Sequence, residues 1–176
     1  MNTPIYDFLK QYSSSDTLRC HMPGHKGRSF SGAMHELSRL DITEIKGADS
    51  LFEADGIIAQ SERNMASLYG SAAAAYSAGG STLCIQAMLA IMKQEGRTVY
   101  AVRNVHRAFL NAAALLGIEV EWIMPEYSGG ILSGMIEPET VRRAMSGSKN
   151  AALYVTSPDY TGRIADIAAL AEVCHD

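Results

Sequence analysis

The chain has 3 cysteines among 176 residues, Cys20, Cys84 and Cys174, and no C-x-x-C pair. An odd, scattered set builds neither a disulfide framework nor a thiolate zinc site, and a reducing, cytoplasmic setting is expected. Charge is sparse too, at 19%. Lys and Arg number 15 against 19 Asp and Glu, a formal net charge of -4 that argues against a nucleic-acid surface. No apolar run approaches the ~18 residues of a membrane span, and the N-terminus, MNTPIYDFLKQY, carries no basic-then-apolar signal pattern. Neither G-x-G-x-x-G nor a G-K-[ST] phosphate loop occurs, which disfavours dinucleotide and P-loop nucleotide binding. The chain is nevertheless 47% apolar, enough for a folded core.

The most informative segment runs from Ala72 to Met92. An apolar, strand-like AAAAYSA leads through Gly79, Gly80, Ser81 and Thr82 into the helix-like LCIQAMLAIM. Two glycines permit a tight turn, and two hydroxyls beside the free N–H groups of a helix start suit a bound phosphate. A second such junction follows, where TVYAVR runs into HRAFLNAAALLG, and it is expected to bring His106 to the sheet rim that carries Ser81 and Thr82. Taken singly, each motif has an ordinary alternative: capping hydroxyls for the first, a capping or core histidine for the second.

The periodicity predicts helices over 5–12, 57–69 (ended by Gly70), 82–94, 106–116, 137–145 and 167–174. It predicts strands over 72–78, 98–102, 118–124 and 151–156. The segment 127–134 reads as a loop, and residues 28–40 as a polar connector. Alternation of this kind implies an α/β fold with a mostly parallel sheet and helices on both faces, preceded by an N-terminal helical arm. The organisation expected is an arm over 1–40 and an α/β domain over 41–176.

Two irregular segments concentrate chemistry. In His21-Met22-Pro23-Gly24-His25-Lys26-Gly27, proline and two glycines break regular structure around two imidazoles and an amine, without the acidic or thiol partners of a metal site. Asp41, Glu44, Asp49 and Ser50 lie in a second loop, where turn-side carboxylates are the ordinary alternative to acid–base catalysts. Ser157-Pro158-Asp159-Tyr160 closes a strand at the presumed rim.

In this order, HMPGHKG, DITEIKGADSL, SAGGST, NVHRAFLNA and SPDYTGRIADI resemble the corresponding blocks of the Orn/Lys/Arg decarboxylases, over nearly the whole chain. That resemblance implies a fold-type I, pyridoxal 5'-phosphate-dependent enzyme, with residues 41–176 as the incomplete N-terminal half of its cofactor-binding major domain and therefore a partial three-layer sandwich. Gly80, Ser81 and Thr82 would hold the phosphate and His106 would stack on the pyridine ring. His21, His25, Lys26, Asp41, Glu44, Asp49 and Ser50 would lie in loops near a site shared by two subunits. It implies an amino acid substrate and a homodimer or larger assembly, while charge and the lack of a long apolar run lead us to expect no nucleic-acid or membrane partner. The family's Asn-Gly before the hydroxyls is here Gly79-Gly80, and Arg107 stands where a lysine is common.

The Schiff-base lysine and the carboxylate that partners the pyridine nitrogen belong to Ser-x-His-Lys and Asp-Glu-x-His blocks, neither of which this sequence contains. Lys26 belongs to the Pro-Gly-His-Lys block, and Asp176 follows a helix instead of closing a strand. The chain alone is therefore expected to be catalytically inactive. An aminotransferase or another lyase of the same fold type, or a non-catalytic binding module, are the alternatives.

Overall fold

A computed structural model describes residues 2–29, 31–126 and 134–175. The chain forms two compact units, Met1–Tyr76 and Ser77–Asp176. The first contains α1 (Pro4–Ser13), a single 3-10 turn (Gly32–Met34) running into α2 (His35–Leu40), and α3 (Ile57–Tyr69). Pro4 stands in the first turn of α1, where its missing N–H costs no helical hydrogen bond. Gly70 ends α3 in the left-handed conformation, its N–H returning to the last turn, as its position in the sequence predicts. Helix α1 packs on α3, and Asn64 Nδ2 ties them by donating to the carbonyl and side-chain oxygens of Asn2 at 3.2 and 2.9 Å. The expected boundary at residue 40 falls inside this unit.

The second unit runs α4 (Gly80–Gln94), β1 (Thr98–Val102), α5 (Arg107–Leu116), β2 (Val120–Ile123), α6 (Pro138–Met145), β3 (Ala151–Tyr154) and α7 (Ile167–His175). The strands form one parallel sheet in the order β2-β1-β3, with Val99 opposite Val120 and Ala152. Side chains alternate across it. Val99 and Ala101 join Leu89 of α4 and Phe109, Ala112 and Ala113 of α5 on one face. Tyr100, Leu153 and Ile123 join Val141 of α6 and Leu170 of α7 on the other. Two helical layers thus sandwich the sheet, the three-layer α/β arrangement that the alternating pattern implies.

Phe109 anchors the first layer. Fully buried, it lies with its ring centroid 4.3 Å from that of Tyr154 and edge-on to Trp122 at 6.2 Å.

Two expectations are corrected. Residues 72–78 form no strand: they are irregular and mostly exposed. Their apolar character comes from alanines, whose small side chains bury little area and have low strand propensity. The 28–40 connector, in contrast, is partly helical, because Glu36, Leu37, Arg39 and Leu40 are good helix formers despite their polarity. The loop expected at 127–134 and Asp176 lie largely or wholly outside the described residues, save Gly134.

Candidate functional site

The two junctions singled out in the sequence become two helix starts at one edge of the sheet. Helices α4 and α5 pack against each other, and Lys93 Nζ, at the end of α4, donates to the Leu116 carbonyl at the end of α5. Ile85, Leu89 and Met92 meet Phe109, Ala112, Ala113 and Leu116 within one cluster. With their C-termini tied, the helices run parallel, and both begin beside the C-terminal end of β1.

At the start of α4, Gly79 is the N-cap and no side chain caps the helix, so the first-turn N–H groups face solvent with exposed Ser81 and Thr82. A Cβ on Gly79 would stand 2.7 Å from the Leu83 Cβ and Cδ2, so glycine is what lets the chain enter the helix. Gly80 has φ +65°. Uncapped donors, two hydroxyls and a positive helix end make a donor set that fits a phosphate dianion.

His106 is the N-cap of α5. Its Nδ1 accepts from the Ala108 N–H at 3.0 Å, which orients the imidazole while leaving the residue exposed. The capping alternative is the one this bond realises, and the ring remains exposed. A second ring, Tyr160, whose segment the sequence places at the same rim without a contact to His106, stacks on it at 6.2 Å between centroids and 24° between planes. Tyr160 is held out by a tight loop: Asp159 Oδ1 accepts from Thr161 N, Thr161 Oγ1 and Arg163 N at 2.8, 2.7 and 3.0 Å, and Ser157 Oγ from Ala165 N at 3.1 Å. Beside this loop a cavity of about 570 Å³ opens past the ends of β1 and β3, lined by Asn104, Thr156, Asp159 and Arg163 among others. The Asn104 Oδ1 is buried there without a partner among the described residues.

The remaining candidates lie in the first unit. His25 Nδ1 accepts from the Gly27 N–H at 3.1 Å, so Nε2 carries the proton and donates to Asp41 Oδ2 at 3.0 Å. Lys26 Nζ donates to the His21 carbonyl, and His21 Nε2 meets the Tyr12 hydroxyl at 2.8 Å. Thr43 donates its hydroxyl to Glu44, which lowers the carboxyl's pKa.

Asp49, with φ +70°, is a hub. Its Oδ1 accepts from Ser50 N and Asp55 N at 2.9 and 3.1 Å, and its Oδ2 from Gly56 N and Ile58 N, both at 2.9 Å. Partial desolvation, which raises its pKa, is outweighed by those N–H donors, and the carboxyl sits far below the usual range. It caps α3 across the loop, a role that no spacing rule revealed because six residues of turn separate it from the N-cap Gly56.

Fold and rim together define an α/β protein with an uncapped helix start, two exposed hydroxyls and an exposed imidazole at the carboxyl edge of a parallel sheet. The chain belongs to the Orn/Lys/Arg decarboxylase family, whose major domain its sequence matches over residues 3–176. It is 29% identical to "Uncharacterized protein YaaO" of Bacillus subtilis, over 99% of this chain and 38% of that protein. It is 26% identical to an arginine decarboxylase of Bacillus cereus, over 98% and 39% respectively. The chain thus spans less than two fifths of the length of these relatives. Among solved structures, it is similar to an archaeal O-phosphoseryl-tRNA(Sec) selenium transferase at 16% identity and a TM-score of 0.49, over 97% of this chain and 44% of that one.

Proposed function

We propose that this chain forms part of the cofactor domain of a fold-type I, pyridoxal 5'-phosphate-dependent decarboxylase acting on a basic amino acid, arginine, lysine or ornithine. The observation that carries the reading is the pairing of two helix starts at one sheet edge: an uncapped first turn with two hydroxyls, and beside it an exposed, oriented imidazole. Gly80, Ser81 and Thr82 would hold the phosphate through backbone N–H groups and hydroxyls, and His106 would lie against the ring. The cofactor, when bound, supplies the electron sink that carbon dioxide loss requires. In this chain the capping bond from Ala108 holds the imidazole plane, and Asn104, two residues earlier, offers an unsatisfied buried acceptor. The His21–Lys26 and Asp41–Ser50 loops are proposed to serve the site shared by two subunits, which makes a homodimer the working assembly.

Carbon dioxide release from arginine, lysine and ornithine, measured on the whole protein with the cofactor, tests the reaction. Formation of a keto acid without carbon dioxide would assign an aminotransferase instead. Titration with pyridoxal 5'-phosphate, followed by ring absorbance, tests the site: the double variant Ser81→Ala/Thr82→Ala should weaken binding about tenfold or more. The chain assayed alone is expected to release no carbon dioxide. Unchanged titration of the double variant would remove the phosphate assignment.

A further inference from the structure

The HMPGHKG loop does more than connect. Around it lies a cavity of about 560 Å³ lined by Arg19, His25, Lys26 and Arg28, with Asp16 the carboxylate among its lining residues. Three permanent cations against one anion leave the cavity positive.

Two of the cations, Arg19 and Lys26, are held in place. The Arg19 guanidinium donates from Nη2 to the Arg39 carbonyl at 2.7 Å and lies over the Tyr12 ring at 4.9 Å. It presses against the loop at Gly27, where a Cβ would stand 2.5 Å from its Nη1; Gly27 itself has φ +74°. Lys26 is also left-handed, with φ +54°, a conformation that is costly for a lysine and persists where the surroundings hold it. The turn is held by Lys26 N to Pro23 O at 3.2 Å, Arg28 N to His25 O at 2.8 Å and Gly27 N to His25 Nδ1 at 3.1 Å. One of the three Lys26 ammonium donors is used on His21, which leaves two. The Arg28 side chain is exposed and makes no hydrogen bond or ion pair among the described residues.

We infer that this cavity is a binding site for a small phosphorylated anion, in which Arg28 and Lys26 engage the phosphoryl oxygens and Arg19 fixes the wall. A planar fork and a mobile ammonium complement a multiply charged tetrahedral group, and the volume admits more than a bare phosphate. Strain at Lys26 and a pinned guanidinium are pre-organisation that a solvated basic face would not need. The site belongs to the first unit and does not depend on the reading of the α4 seat.

Calorimetric titration of the protein with inorganic pyrophosphate tests it. Saturable binding is expected, weakened about tenfold or more by Arg28→Ala and by Lys26→Gln, and unaffected by Ser81→Ala/Thr82→Ala. Circular dichroism checks that Arg28→Ala, at an exposed side chain with no partner among the described residues, leaves the fold intact. Lack of saturable binding at millimolar pyrophosphate overturns the inference. So do unchanged binding by both basic variants, loss of binding in the Ser81/Thr82 variant alone, which assigns the anion to α4, and equally tight binding of succinate, which removes the phosphoryl preference.

Discussion

Asp49 shows how much one carboxylate can organise. A residue with positive φ is held there because its two oxygens collect N–H groups from Ser50, Asp55, Gly56 and Ile58, closing the loop and capping α3 together. Since the folded pKa lies below the ordinary 3.8, the stabilisation is complete above that value and disappears as pH falls through it toward the folded one. Asp49→Asn is expected to lower the melting temperature near neutral pH, and the gap from the parent should narrow as the solution is acidified below about pH 4. Thermal unfolding followed by circular dichroism over that range checks it; a gap constant with pH would contradict it. His106 illustrates a different economy, in which one ring nitrogen caps α5 and the ring face stays open to Tyr160.

Among the elements, α4 depends on how it begins. Gly79 has no left-handed backbone to excuse it; what excludes a side chain is Leu83, 2.7 Å from where a Cβ would be. Gly79→Ala should destabilise the protein by about 1–3 kcal/mol through overpacking. Chemical denaturation measures the loss, and a variant as stable as the parent would refute the steric account. Helix α5 depends instead on its middle. Phe109, fully buried between α4, β1 and the Tyr154 ring, is expected to cost about 3–5 kcal/mol when replaced by alanine, a loss readable in the same denaturation experiment.

Viewed whole, the molecule is two compact units joined through residues 71–79, a stretch without helix or strand and mostly exposed. Alanine-rich, irregular and accessible, it should be the first place elastase cuts. Brief digestion followed by mass spectrometry is expected to yield fragments ending between Ala72 and Ala78, and first cleavage inside α4 or α5 would count against the division. Exposed apolar side chains, among them Leu18, Phe52 and Leu115, are spread over both units and accord with the proposed subunit association.

Local chemistry explains what was readable along the chain. Helix α3 ends at Gly70, α6 begins at Pro138 and β1 spans its apolar run because caps, ring constraints and alternation act within a few residues. The hydroxyls of Ser81 and Thr82 and the imidazole of His106 were visible for the same reason, each standing at the start of a helix. The alanines of 72–78 misled, since a short apolar run has the same pattern whether or not neighbouring strands pair with it, and pairing is a long-range matter. The Asp49 cap, the Tyr160 contact with His106 and the guanidinium of Arg19 against Gly27 were likewise beyond local reach. Each joins residues separated by turns whose path depends on packing, so side-chain type and spacing name the groups, and the folded chain alone brings their atoms within a few ångströms.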